Sequence, residues 1–157
     1  MLNIKGLMLG LAATWGLSTA VWAEDKVEVE PTVKEVKSSS ESEFEITYEW
    51  KVTESPKADW TSYVHFTDEN GEIKFQDDHE PSPETSKWKV GMVKDGPNTV
   101  SIPDGLTGTF EIRMGLYKVD GGERAELNGK GDEELRILVG KVKVADGKVV
   151  FVPNPKP

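Results

Sequence analysis

Glu43 to Thr53 alternates without a break, with Phe44, Ile46, Tyr48, Trp50 and Val52 set against Glu43, Glu45, Thr47, Glu49, Lys51 and Thr53. Strict period two over that length puts one face in a core and the other in water, the mark of a half-buried β-strand. Thr109 to Tyr117 repeats the pattern, with Phe110, Ile112, Met114 and Leu116 directed inward. Leu135 to Val144 changes phase: Leu135, Ile137 and Val139 share one parity, and Val142 and Val144 take the other. Gly140 lies at the switch, where a β-bulge or a crossing between sheets would re-aim the strand.

Two partly alternating runs, Trp60 to Thr67 and Ile73 to His79, flank Asp68-Glu69-Asn70-Gly71-Glu72. Asn-Gly between such runs predicts a hairpin with a two-residue type I′ loop, because both residues tolerate positive φ. That loop sets Glu69 against Glu72, His65 against Gln76, Val64 against Asp77, Tyr63 against Asp78 and Ser62 against His79. Phe66 then pairs with Phe75 on a core face. The opposite face carries Tyr63, His65, Thr67, Lys74, Gln76 and Asp78.

The remaining segments read as short strands and turns. Val27, Val29, Val33 and Val36 predict one short edge strand, a place that suits Pro31, followed by a loop through Ser38-Ser39-Ser40. Glu80 to Lys87, with Pro81 and Pro83, predicts an extended loop across one end of the fold, and Trp88-Lys89-Val90 a short strand or cap. Asp95-Gly96-Pro97 predicts a turn before a short strand from Thr99 to Pro103. Glu123 to Glu134 is polar, and Asp146-Gly147 turns the chain into Lys148 to Val152. No stretch after the leader repeats at helical spacing. The expectation is an all-β, antiparallel two-sheet immunoglobulin-like sandwich of about seven to nine strands, with a small barrel as the alternative.

Composition adds an address. Lys5 is followed by an apolar run from Gly6 to Val21 and by Val21-Trp22-Ala23, the layout of a secretory signal peptide over residues 1–23. An uncleaved anchor is the alternative, with a run near the short limit for a span. The organisation expected is then an acidic segment at 24–42, a sandwich domain at 43–152 and a Pro-rich tail at 153–157. Removing 23 of 157 residues leaves 134, enough for one core, and takes the formal charge from −9 to −10 with the loss of Lys5. The absence of cysteine excludes disulfides, thiolate metal sites and a lipid-modified cysteine. An acidic chain lacks the basic footprint that nucleic acid or anionic lipid requires. These readings place the chain in the periplasm or outside the cell, with no membrane span after cleavage.

Four pieces carry a resemblance: Tyr63-Val64-His65-Phe66 with Asp68 and Gly71; Gln76 to Pro81; Pro83 to Trp88; and Gly108 to Phe110 running into Arg113 to Tyr117 and Gly122-Glu123-Arg124. Together they resemble the β-sandwich accessory domains that bacteria append to membrane glycosyltransferases and to secreted carbohydrate-active or uncharacterised proteins. The similarity spans about Trp50 to Val144. It implies an immunoglobulin-like sandwich with an accessory role and no catalytic residues.

Candidate chemistry concentrates on the hairpin. Tyr63, His65, Gln76 and Asp78, with Trp88 and Tyr117 as further aromatic positions, would suit a sugar through ring stacking and hydroxyl bonding. The plainer alternative is a solvated outer face. His65, Asp77, Asp78 and His79 form a candidate set for a divalent metal, though their spacing is not diagnostic. On the structural alternative, His79 ends the strand and fixes the path of the Pro-rich loop. The chain has no Gly-x-Ser-x-Gly elbow, cysteine nucleophile, His-Glu-x-x-His or phosphate loop, so no catalysis is expected. The expected function is binding or assembly at the cell envelope, with a carbohydrate or protein partner and no resident cofactor. The alternatives are a periplasmic metal-binding protein and a purely structural domain.

Overall fold

The computed structural model describes residues 25–155, and the expected signal peptide lies outside them. Ten strands follow in order: β1 (Lys26–Val27), β2 (Val29–Ser38), β3 (Glu43–Val52), β4 (Thr61–Thr67), β5 (Ile73–Gln76), β6 (Gly91–Ser101), β7 (Gly108–Tyr117), β8 (Glu126–Leu127), β9 (Ile137–Ala145) and β10 (Lys148–Pro153). A single 3-10 turn, Thr85–Lys87, is the only helical element among the described residues. The protein is all-β, as the alternation predicts.

The alternating faces assemble into two antiparallel sheets, ordered β10-β9-β7-β4-β5 and β2-β3-β6. Their apolar faces meet. Phe44 of β3 sets its ring edge-on to Phe66 of β4 at 5.8 Å, and Phe66 stacks on Phe75 of β5 at 4.3 Å. Trp50 and Trp88 lie 5.2 Å apart in the same core. This is a sandwich-like arrangement, and its main driving force is burial of the inward faces of β3, β4, β7 and β9.

Polar side chains stitch the sheets together at their open sides. On one side, the Ser38 hydroxyl of β2 accepts from the Val149 N–H of β10 at 2.7 Å and donates to the Val149 carbonyl at 3.2 Å. That occupies backbone groups that an edge strand would otherwise leave open to another chain. On the other side, the segment after β5 is tied to β6 by the network described below.

Several sequence expectations are corrected. The hairpin loop has three residues, Glu69-Asn70-Gly71, and of these only Gly71 has positive φ (79°). The Asp68 carboxylate accepts the N–H groups of Asn70 and Glu72 at 2.9 and 3.0 Å, an Asx-type closure that wins over the type I′ turn. A register shift between Phe66 and Thr67 compensates, so His65 faces Gln76, Phe66 faces Phe75 and Ser62 faces His79, the pairs expected from the two-residue loop. Asp95-Gly96-Pro97 is not a turn between strands but an irregularity inside β6. The register against β3 shifts there, between Ile46 and Tyr48, with Gly96 at φ 113°. Trp88-Lys89-Val90 is not a strand, and Trp88 is buried. Val29, Val33 and Val36 belong to a ten-residue edge strand, β2, and Val27 to the separate two-residue β1, rather than all four to one short strand. The two-residue pairing of β1 with β8 is parallel, which alternation could not reveal.

One turn and one bulge stand where the sequence puts them. Asp146 and Gly147 have φ of 52° and 70°, the positive pair of a type I′ loop joining β9 to β10. The register between β7 and β9 shifts at Ile112 and Arg113, beside Gly140. A Cβ on Gly140 would stand 2.5 Å from the Phe151 ring, so the bulge and the close approach require glycine together.

Candidate functional site

The face expected to be open is closed. Tyr63 and His65 point away from the core on β4, yet they are only 2% and 6% exposed. The polar segment after β7 folds back over them. The Tyr63 hydroxyl donates to the Glu134 carbonyl at 3.0 Å, and the Arg124 guanidinium lies 4.8 Å above the Tyr63 ring. Arg136 donates from Nη1 to His65 Nδ1 at 3.1 Å and from Nε to Asp132 at 2.9 Å. An arginine can only donate, so His65 Nδ1 is the acceptor and the ring is neutral. Burial, with Arg136 and Arg124 nearby, lowers its pKa against the opposing pull of Asp78. Burial likewise pushes the Tyr63 phenol up to about 12. Tyr63 and His65 are therefore structural, covered by a segment that looked like solvated loop.

The other members of the proposed sugar face are dispersed. Gln76 and Asp78 are both exposed, and the Asp78 carboxylate accepts the Val64 N–H at 3.1 Å. Tyr117 is half-buried with its ring 6.0 Å from Tyr63. Trp88 is 2% exposed and spends its indole N–H on the Pro83 carbonyl at 2.8 Å. No ring of this set is presented as a stacking platform. Gly115 makes room for the buried Tyr63, since a Cβ there would stand 2.1 Å from its ring. Gly115→Ala is expected to cost about 1–3 kcal/mol by overpacking. Denaturant unfolding checks this, and a midpoint equal to wild type would contradict the packing.

Asp77 and His79 point inward instead, into a network that joins β3 and β6 to the segment after β5. The Asp77 carboxylate accepts from the Tyr48 hydroxyl of β3 at 2.7 Å and from the Asn98 amide of β6 at 3.1 Å. His79 Nδ1 lies 2.8 Å from the Asp77 carbonyl, and Nε2 lies 2.8 Å from the Asp95 carboxylate of β6. Asp95 also accepts the Trp50 indole N–H at 3.4 Å and the Ser82 N–H at 3.2 Å. The Tyr48 ring stacks on His79 at 5.4 Å. Burial raises the pKa of Asp77 against its hydrogen bonds, and burial with the neighbouring carboxylates raises that of Tyr48 well above 10.

This geometry separates the proposed metal ligands. The imidazole lies between its carboxylate partners, while His65 bonds Arg136 on the opposite face of β4. Among the described residues no cluster of three histidines or acids is disposed to hold a metal. Sequence spacing could not reveal Tyr48, Asp95 and Asn98 as partners of the hairpin. Asp95 looked like part of a turn, and Tyr48 like one more core residue.

Three loops and the start of β1 meet at one end of the sandwich. Two adjoining clefts of about 400 and 370 Å³ share Trp60, Ala58 and Lys118 in their walls. Lys118 Nζ lies 4.8 Å over the Trp60 ring and 2.9 Å from Asp25. Pro56 and Lys57 line the first cleft; Glu80, Pro81 and Val119 line the second. Thr85 fixes their common wall by donating to the Ala58 carbonyl and accepting the Trp60 N–H, both at 2.8 Å. Val119 stands at the rim, 69% exposed. No family model, curated protein or solved structure matches the chain.

Proposed function

We propose that this is an exported, non-catalytic immunoglobulin-like domain that binds a protein partner in the cell envelope through its loop end. One observation carries this reading: the paired clefts around Trp60 and Lys118, with exposed Val119 at their rim. Loops held at one end of a rigid sandwich suit recognition, because they vary in shape without disturbing the core. Carbohydrate is the weaker partner. Tyr63, Trp88 and Trp60 are all buried, and Lys118 lies over the Trp60 ring. A mixed wall of Lys57, Lys118, Glu54 and Glu80 beside proline and valine fits a partner surface with both charge signs and an apolar contact.

The test compares wild type with Lys57→Glu/Val119→Asp in recovery of a partner from detergent-solubilised envelope. The variant is expected to lose the partner while keeping the wild-type melting temperature, since both positions are exposed. Undiminished recovery would refute the loop-end reading. A melting shift with a soluble glycan panel would favour a carbohydrate ligand instead.

A further inference from the structure

We propose that His79 is a doubly protonated clamp, and that loss of one proton releases the segment after β5 from β6 as pH rises. Each ring nitrogen lies 2.8 Å from an acceptor: Nδ1 from the Asp77 carbonyl, which cannot donate, and Nε2 from Asp95. Asp95 in turn receives N–H groups at both oxygens, from Trp50 at Oδ2 and from Ser82 at Oδ1. Two N–H groups and the imidazole converge on Asp95, which is matched by a carboxylate with no proton of its own to place, so we assign the proton between Asp95 and His79 to the imidazole. Two donating nitrogens make His79 an imidazolium.

Among the described residues the surroundings contain no substitute cation. Tyr48 and Trp50 face the network from β3, Asp95 and Asn98 from β6, and Asp77 from the same segment as His79; Ser62 of β4 bridges to the His79 backbone. Among the described residues no lysine or arginine pairs with Asp77 or Asp95, so His79 alone offsets them. Burial lowers the His79 pKa, but the hydrogen bond and charge of Asp95, with Asp77 behind, outweigh it and raise the value above 6.5. A raised histidine pKa contributes stability that is complete below the unfolded value and is lost as pH climbs through the folded one. His65, with its lowered pKa, works in the opposite sense on the acid side.

A neutral His79 keeps one N–H, and its other nitrogen must then face an acceptor with a lone pair. The Ser82–Asp95 bond shares that carboxylate, so the path from His79 to Ser82 loosens with it. Glu80 and Pro81 lie on that path and line the second cleft. Any effect on partner binding rests on the loop-end reading, whereas the clamp itself does not.

The experiment is nitrogen-15 NMR of the histidine rings, with hydrogen exchange at the Ser82 amide, on the mature chain without a partner. At about pH 7 both His79 nitrogens are expected to carry protons and His65 to be neutral. Ser82 protection, corrected for intrinsic exchange, is expected to fall about tenfold or more as His79 deprotonates. His79→Gln should show low protection with no such pH step. A neutral His79 at about pH 7 would overturn the proposal even if the variant failed to fold. So would Ser82 protection that stays constant through the His79 titration, or a step that persists in His79→Gln.

Discussion

Asp95→Ala is expected to destabilise the protein by about 3–5 kcal/mol, because removing one partner of a buried ion pair strands the other. Asp95 is 1% exposed, and it serves three donors: His79, the Trp50 indole and the Ser82 N–H. Its loss leaves an imidazolium without a counterion and two N–H groups without acceptors. A double-mutant cycle with His79→Ala separates this coupling from simple loss of packing. The two changes should be strongly non-additive, with the double variant little worse than Asp95→Ala alone. Additive costs in denaturant unfolding would mean that Asp95 and His79 act separately. Asp132→Ala makes a useful comparison, since Asp132 is a half-exposed carboxylate holding Arg136 and should cost less.

Trp88→Ala is expected to cost about 3–5 kcal/mol through the cavity left in the core. Trp88 is 2% exposed, packs on Trp50 at 5.2 Å and bonds Pro83 through its indole. The same substitution at an exposed sugar platform would leave folding almost unchanged and abolish glycan binding. Unfolding midpoint therefore separates the two roles without a ligand. A wild-type midpoint for Trp88→Ala would show that the ring lies outside the core.

The contrast between Trp88 and Phe44 shows what the chain discloses directly. Phe44 lies in an unbroken alternation, and its burial follows from period two alone. Trp88 follows two prolines and carries no periodic signal, so its burial depends on a loop path fixed by long-range bonds. His65 fails for a related reason. Its parity correctly points it away from the core, but parity is silent about what lies above a sheet. The segment that covers it, through Arg124, Asp132, Glu134 and Arg136, is polar and turn-rich and had no local reason to order. Asp95 illustrates the third limit. Asp-Gly-Pro is strong turn chemistry, yet β3 offers a continuous partner, and the sheet absorbs the irregularity as a bulge. Gly140 and Asp146-Gly147 were legible because their signals are local: a parity switch at one, positive-φ residues between strands at the other. The hairpin register survived a mistaken loop because Phe66 and Phe75 must share the core face.

The binding reading also separates residues the sequence grouped from residues it did not. The hairpin histidines hold the protein together, each in its own polar network. The loop end draws its wall from Asp25, Pro56, Trp60, Pro81 and Lys118, which only the three-dimensional fold unites.

A photo-crosslinking map in the native envelope tests the loop-end reading most directly, with the reactive side chain placed in turn at Lys57, Val119, Thr99 and Lys143. All four positions are exposed, and the last two lie on the outer faces of β6 and β9. The expected result is one discrete protein adduct from Lys57 and Val119, with little from Thr99 or Lys143. Adducts concentrated at Thr99 or Lys143, or none at the loop end, would contradict the account and assign any binding to a sheet face.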